Sequence, residues 1–150
     1  MSVLFINGSP NKGGNTVHLA KALLGDTPYT QLDLVDLKIY GYGQDFADDQ
    51  FGEVLDALKV ADTVVIGAPM YWHSIGGMVR NVLDRMYGAV DEGGFAGKTL
   101  YFLFQGAAPT SERLAAAEYT MSRFAALYGM TYGGMATTPA QARSLGANLQ

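Results

Sequence analysis

Short apolar runs alternate along the chain with segments in which apolar residues recur at helical spacing. The runs predict five strands, at residues 2–6, 29–34, 62–69, 98–106 and 130–136. The segments between them predict four helices, with apolar faces within residues 17–24, 51–58, 79–86 and 114–128. Strands that are apolar on both faces are typical of a parallel sheet covered by helices on both sides. We therefore expect a three-layer α/β/α fold whose doubly wound, five-stranded sheet has the order 2-1-3-4-5.

The composition describes a folding chain and argues against polyanionic partners. The 150 residues have the length of one domain, and 49% of them are apolar. The net charge is −4, from ten basic and fourteen acidic residues, and the basic residues form no cluster. This pattern argues against nucleic acid and against anionic membrane surfaces. Residues 137–150 are small and polar, and we predict that they form a C-terminal tail.

Cysteine is absent from the sequence. Its absence excludes disulfides, thiolate metal sites, iron–sulfur clusters and a cysteine nucleophile, and we expect no metal site. The densest apolar run, residues 64–72, is interrupted by Gly67 and Pro69 and is too short to span a bilayer. The N-terminus shows no charged leader, so the sequence predicts no export signal and a cytoplasmic location.

The stretch NGSPNKGGNT, residues 7–16, joins the first strand to the first helix and is called the first loop below. Free backbone N–H groups and the helix dipole make such a position an anion site. Ser9, Asn15 and Thr16 add short donors that should face the ligand, Asn15 or Thr16 can cap the helix, and Lys12 adds a mobile cation. The loop is also consistent with a simple glycine-rich turn, although turns in α/β units are usually shorter.

The spacing of the glycines narrows the kind of phosphate compound. A nucleoside-triphosphate loop would place Lys and then Ser or Thr where Gly14 and Asn15 stand. The dinucleotide fingerprint does not fit Gly8, Gly13 and Gly14 either. The first loop therefore favours a phosphomonoester.

Two further segments follow the third and fourth predicted strands. Residues 69–76, here the ring segment, place five large or rigid residues in a row at a strand end: Pro69, Met70, Tyr71, Trp72 and His73. Exposed aromatic side chains suit a flat partner. Residues 105–110, here the third loop, are again small and allow close approach. A phosphate loop beside two segments that frame a planar ring describes a site for flavin mononucleotide (FMN). Tyr71 and Trp72 are also consistent with dimer contacts.

The motifs GSPNKGGNT and PMYWHSIGGMVRNVLDR resemble those of the flavodoxin-like NAD(P)H-dependent FMN reductase and quinone reductase family. The resemblance runs from Val3 to about Ala136. It implies a flavodoxin-like fold, bound FMN, hydride transfer from NADH or NADPH to the flavin, and onward transfer to a small electron acceptor. It also implies a homodimer with the flavin near the subunit interface.

The resemblance carries over to particular positions. It implies phosphate ligands at Ser9, Asn15 and Thr16, and ring-framing residues at Pro69, Met70, Tyr71, Trp72, Gly76, Gln105 and Gly106. Asn11 stands where many members have arginine, so phosphate binding should be weaker or should depend more on Lys12. Relatives with an iron–sulfur cluster have cysteines after the second strand, and residues 38–49 have none.

The flavin would supply the redox chemistry, and backbone N–H groups of the ring segment and third loop would stabilise its reduced form. His73 is a candidate proton donor to a quinone, because imidazole titrates near neutral pH; it is equally consistent with a solvated loop residue. Two other functions stay open. An electron-carrier flavodoxin would bind FMN without oxidising a nicotinamide, and a receiver-type domain would need acids clustered at strand ends, where only Asp33 stands. The sequence does not distinguish NADH from NADPH or identify the acceptor.

Overall fold

The computed structural model describes residues 1–149, and a parallel sheet forms its centre. The sheet strands are β1 (Val3–Asn7), β2 (Thr30–Asp33), β3 (Thr63–Tyr71), β5 (Thr99–Gln105) and β6 (Thr131–Ala136). Their order is β2-β1-β3-β5-β6. A two-residue strand, β4 (Ser74–Ile75), pairs antiparallel with the end of β3 and lies outside that order. Once β4 is set apart, the order is the predicted 2-1-3-4-5.

Five α-helices in the described part of the chain cover the sheet. They are α1 (Asn15–Leu24), α2 (Phe51–Val60), α3 (Gly77–Arg85), α4 (Ser111–Leu127) and α5 (Pro139–Gly146). None of these helices in residues 1–149 has the length and apolar character needed to cross a bilayer.

Two hydrophobic cores lie on opposite faces of the sheet. Along β1, Leu4 and Ile6 join the core beneath α2, α3 and α4, while Val3 and Phe5 join the core beneath α1 and α5. Successive side chains of a strand point to opposite faces. A central strand between two cores must therefore be apolar at most of its positions, which is why the sequence pattern identifies β1, β3 and β5. Together the two cores confirm the three-layer arrangement.

The predicted C-terminal tail is wrong for most of its length, because residues 139–146 form α5. Thr138 caps this helix by accepting a hydrogen bond from the backbone N–H of Gln141, and Pro139 occupies its first turn. Ala142 is buried in the core beneath α1 and α5. Small residues let α5 approach α1 closely, so α5 lacks the broad apolar stripe that predicts a helix. The last residue of the predicted tail, Gln150, lies outside the described residues.

Candidate functional site

The first loop, the ring segment and the third loop follow β1, β3 and β5 and meet at the carboxyl edge of the sheet. β1 and β3 are neighbours, but α1 covers one face of the sheet and α3 covers the other. The strand order reverses between them, and open α/β sheets bind ligands at this switch point. The topology therefore brings together the three segments that carry the predicted site residues.

The first loop is a tight, internally bonded turn. Ser9 is buried, and its Oγ accepts a hydrogen bond from the backbone N–H of Asn11 at 3.1 Å. Since that oxygen is the acceptor, the hydroxyl proton is still available to a ligand. Asn11 and Asn15 are exposed at the same end of the sheet.

Thr16 carries a buried hydroxyl with no partner among the described residues. The residue is 1% exposed, and Oγ1 forms no hydrogen bond. The predicted cap at Asn15 or Thr16 is wrong, because the cap position is Gly14 and no side chain there bonds the helix end. The first turn of α1 therefore keeps free backbone donors beside an unpaired hydroxyl. Buried polar atoms normally have partners, so this arrangement fits a phosphate oxygen that completes the site.

The methyl group of Thr16 packs against the sheet, so only its hydroxyl is available to a ligand. A Cβ on Gly67 of β3 would overlap Thr16 Cγ2 and would lie 2.9 Å from a ring carbon of Phe5. Glycine at this position lets the start of α1 lie directly on β3. The expectation that the whole Thr16 side chain faces the ligand is therefore wrong for its methyl branch, and for the hydroxyl it stays a prediction.

Lys12 is an ion-pair partner rather than the mobile cation that the sequence suggested. Its Nζ lies 2.6 Å from Oδ2 of Asp36, and both side chains are about half exposed. The hydrogen bond from Lys12 to Asp36 raises the pKa of the ammonium, and the charges of Asp36 and Asp33 act in the same direction. To contact a phosphate, the Lys12 ammonium must either break its ion pair with Asp36 or contact both groups at once.

The ring segment forms a β-hairpin that the sequence did not predict. Tyr71 pairs with Ser74, and Trp72 and His73 form the tip with φ angles of 49° and 64°. Positive φ at both tip residues is the geometry of a type I′ turn, which favours Asn-Gly. Side chains larger than glycine strain such a turn, and strained residues cluster at functional sites.

Exposure increases along the ring segment towards its tip. Pro69 is buried, Met70 and Tyr71 are partly exposed, and Trp72 is 94% exposed. His73 is exposed beside Trp72. A tip held by the hairpin thus presents a large aromatic surface to solvent.

The third loop begins beside the ring segment. Gln105 pairs in register with Pro69, and a Cβ on Gly106 would lie 2.7 Å from Cβ of Met70. This close approach is possible only because Gly106 has no side chain. A cavity of about 270 Å³ is lined by residues of the first and third loops together with α1 and the start of α5: Asn15, His18, Leu19, Gln105, Gly106, Thr137 and Pro139.

The structure thus groups the predicted residues into two neighbourhoods. Asn15 shares a cavity with Gln105 and Gly106, and the third loop lies against the buried base of the ring segment. Trp72 and His73 lie apart from these contacts, at the exposed hairpin tip. Sequence reasoning missed the residues beneath the first loop, of which the buried Asn7 makes the most contacts.

The loop after β2 is fixed to α3 by an ion pair. Arg85 Nη1 and Nη2 contact the two carboxylate oxygens of Asp49 at 2.9 and 2.7 Å, and Nη1 also donates to the carbonyl of Tyr40 at 3.0 Å. The hydrogen bonds from Arg85 hold the pKa of the Asp49 carboxyl below its usual range. The guanidinium lies 4.8 Å from the centre of the Phe51 ring. A mostly buried bidentate pair thus restrains a segment, residues 37–50, that contains no helix or strand.

A separate groove of about 310 Å³ lies between α3 and α4 and contains none of the predicted site residues. Tyr87 and Tyr119 on its rim are largely exposed, and Tyr42 packs edge-to-face on Tyr87. The unpaired hydroxyl of Thr16 and the uncapped start of α1 are at the sheet edge and not in this groove, so the sheet edge is the stronger candidate for cofactor chemistry.

Comparisons with known proteins identify the family and the fold. A family model described as NADPH-dependent FMN reductase matches residues 1–142. A flavone reductase superposes with a TM-score of 0.77 at 18% identity, over 99% of this chain and 61% of that one. The NAD(P)H:quinone oxidoreductase from Methanothermobacter marburgensis superposes with a TM-score of 0.67 at 14% identity, over 100% of this chain and 99% of that one. These likenesses confirm the flavodoxin-like fold.

An iron-sulfur flavoprotein from Archaeoglobus fulgidus is 32% identical in an alignment of 98 residues that covers 57% of this chain and 48% of that protein. The match spans about half the length of that relative. The sequence of the present chain contains no cysteine, so it supplies no thiolate ligand for a cluster.

Proposed function

The chain belongs to the NADPH-dependent FMN reductase family, and on that premise we propose that it passes hydride from NAD(P)H through FMN to a small acceptor such as a quinone or a flavin. The family indicates FMN as the flavin and NAD(P)H as the electron donor. The observation that carries the proposal is the unpaired, buried hydroxyl of Thr16 at the uncapped start of α1. A phosphate oxygen is the partner that such a group lacks.

The proposal assigns the phosphate to the first loop. The hydroxyls of Ser9 and Thr16 and the free backbone N–H groups at the start of α1 donate to it, and Asn15 is exposed beside them. Lys12 adds positive charge when its ammonium contacts both the phosphate and Asp36. Neutral donors at a helix N-terminus bind a dianion without a dedicated arginine, which is consistent with Asn11 in this loop.

The ring segment and the third loop have different tasks in the proposal. FMN, when bound, supplies the two-electron chemistry. Pro69 and Met70 with Gln105 and Gly106 form the packed wall that orients the ring, because these residues already contact one another. Trp72 offers a broad aromatic surface on which a planar acceptor can stack. His73, exposed at the same tip, can give its imidazolium proton to the oxygen of a quinone.

The homodimer is part of the proposal. Tyr42, Tyr87 and Tyr119 are largely exposed, as is Trp72. Apolar area removed from water stabilises by about 25 cal/mol per Å², so pairing these aromatic surfaces is favourable. A cytoplasmic location also belongs to the proposal, and cell fractionation tests it.

Cofactor release and turnover test this function. The purified protein is treated with acid and the released flavin is identified by chromatography; stripped protein is then titrated with FMN and with FAD. We expect FMN to be recovered or rebound in preference to FAD, and the FMN-loaded protein to oxidise NADH or NADPH when a quinone is added. Recovery of FAD, or no binding of FMN after reconstitution, contradicts the proposal. FMN binding without nicotinamide oxidation indicates the electron-carrier alternative instead.

A further inference from the structure

Asn7, the last residue of β1, is fully buried and makes three hydrogen bonds with its side chain. Its Oδ1 accepts from the backbone N–H of Ser9 at 3.1 Å. Its Nδ2 donates to Oδ1 of Asp33 at 2.9 Å and to the backbone carbonyl of Asn11 at 3.3 Å. One amide group therefore contacts both ends of the turn and the neighbouring strand.

The same network also contacts the first loop at Lys12. Oδ1 of Asp33 also accepts from Nε2 of Gln31 at 2.8 Å, and that nitrogen lies 3.5 Å from the carbonyl of Lys12. All these bonds approach the loop from its strand side. The loop shape that leaves the donors of Ser9 and α1 free is thus set by the buried Asn7 and by the partly buried Asp33 and Gln31, which need not touch a ligand.

Only an amide can fill the role of Asn7 at this length. The position must accept one hydrogen bond from Ser9 and donate others to Asp33 and to a carbonyl. A carboxylate of the same shape accepts but cannot donate, and it would place a second negative charge against Asp33.

The charges around Asn7 are few. The Asp33 carboxylate on β2 faces it directly, and the Lys12–Asp36 ion pair lies beyond, in the first loop and the turn after β2. On the other side, β3 presents Gly67 in register with Asn7 and carries no charge there. A charge introduced at position 7 therefore meets the Asp33 carboxylate first and the Lys12–Asp36 pair second.

We propose that Asn7 is a positioning residue that presets the first loop for the FMN phosphate through its bonds to Ser9, Asn11 and Asp33. The inference rests on the proposed function, and it assigns phosphate affinity to a residue that is not itself a ligand. Its consequence is specific: loss of Asn7 weakens binding of the phosphate and leaves binding of the flavin ring intact.

The test compares FMN with riboflavin, which has the same ring and no phosphate. In Asn7→Asp the donor to Asp33 and to the carbonyl of Asn11 is lost, and the dissociation constant for FMN should rise about tenfold to hundredfold. Riboflavin affinity should stay within about twofold of wild type, which is small beside one lost hydrogen bond. The same FMN-selective loss is expected for Asn7→Ser, which adds no charge and carries the test if Asn7→Asp does not fold.

The pH profile gives a readout that general destabilisation does not move. Two adjacent carboxyl groups share a proton as the pH falls, and the shared proton restores a donor between positions 7 and 33. The ratio of the Asn7→Asp to the wild-type dissociation constant for FMN should therefore shrink between about pH 8 and about pH 5. In N7D/D33N the amide at position 33 donates instead, so the loss should be smaller than in Asn7→Asp and should not depend on pH. Asp33→Asn alone is the control for the missing charge.

The outcomes separate the inference from the proposed function. Unchanged FMN affinity in both Asn7 variants, or an equal loss for FMN and riboflavin, overturns the role of Asn7. A wild-type protein that binds riboflavin as tightly as FMN contradicts the phosphate site itself. Circular dichroism and thermal unfolding of the flavin-free variants establish that each one is folded.

Discussion

Replacing Thr16 by valine should change stability and cofactor affinity in opposite directions. Valine keeps the branch that packs against Gly67 and replaces the hydroxyl by a methyl group. In the flavin-free protein that hydroxyl is buried and unpaired, so the substitution removes a polar group that contributes only its desolvation cost. In the FMN complex the same substitution removes a hydrogen bond to a charged phosphate.

The sizes of the stability gain and of the affinity loss follow from the burial of the Thr16 hydroxyl and from its lack of a hydrogen-bond partner. An unsatisfied buried hydroxyl costs about 1–3 kcal/mol, so Thr16→Val should stabilise the flavin-free protein by about 1 kcal/mol or more. For a chain of this size that raises the midpoint of thermal unfolding by at least about 2 °C. A hydrogen bond to a charged group contributes about 1.5–3 kcal/mol, so FMN affinity should fall about tenfold to hundredfold.

Thr16→Ser supplies the reciprocal variant. Serine keeps the hydroxyl and removes the methyl group that packs on β3, so FMN affinity should be kept while the flavin-free protein loses about 0.5–1.5 kcal/mol. Thr120→Val is the matched control on α4, where the hydroxyl is bonded to the carbonyl of Ala116 at 3.2 Å. It should neither stabilise the protein nor change FMN affinity.

Calorimetry of the flavin-free proteins and fluorescence titration with FMN measure the two effects separately. If Thr16→Val destabilises the flavin-free protein, its hydroxyl has a partner that the structure does not show. If FMN affinity is unchanged, Thr16 does not bind the phosphate, and the reasoning from the unpaired atom is refuted.

Three further variants test other contacts of the site and its surroundings. Gly106→Ala should destabilise by about 1–3 kcal/mol and weaken FMN binding, because its Cβ would be 2.7 Å from Cβ of Met70; Gly77→Ala, whose Cβ meets open space, should do neither in the same unfolding and titration experiments. Asp49→Asn should cost about 1–3 kcal/mol near pH 7. Since Arg85 depresses the pKa of Asp49 in the folded state, this difference from wild type should begin to decrease in unfolding experiments below about pH 4 and be lost as the pH falls through the lowered pKa; a difference that does not decrease contradicts the ion-pair explanation. Trp72→Ala should weaken dimerisation and acceptor turnover more than FMN affinity; sedimentation that shows a monomer with full quinone activity rules out the proposed role of the dimer.

The layers and the sheet order could be predicted because central strands such as β1 must be apolar on both faces. α5 was missed because its buried face consists of small residues such as Ala142, whose burial depends on how closely α1 approaches. The hairpin between β3 and β4 was missed because Trp72 and His73 replace the Asn and Gly that usually mark a two-residue turn. Local sequence rules do not predict a strained turn, because contacts with the surrounding structure are needed to hold its backbone in place.

The candidate site also combines features that the sequence could predict with features that it could not. Glycine spacing and small polar residues predicted that the first loop binds a phosphate, which stays a prediction. They did not identify Asn7, because an isolated asparagine after an apolar run has the same appearance in a sequence whether it is exposed in a turn or buried in a network. The signal that could have indicated it is its position, because a polar residue at the end of a predicted central strand is covered on both faces and needs hydrogen-bond partners. The unpaired state of the Thr16 hydroxyl depends on three-dimensional packing and has no sequence signal.

Anaerobic mixing of the FMN-loaded protein with NADPH, and separately with NADH, tests the central claim most directly. The absorbance of the oxidised flavin is followed through a single turnover, before any acceptor is added. We predict complete reduction by at least one of the two nicotinamides, followed by reoxidation when a quinone is introduced. Bound FMN that stays oxidised with excess NADPH and with excess NADH contradicts the assignment as an NAD(P)H oxidoreductase.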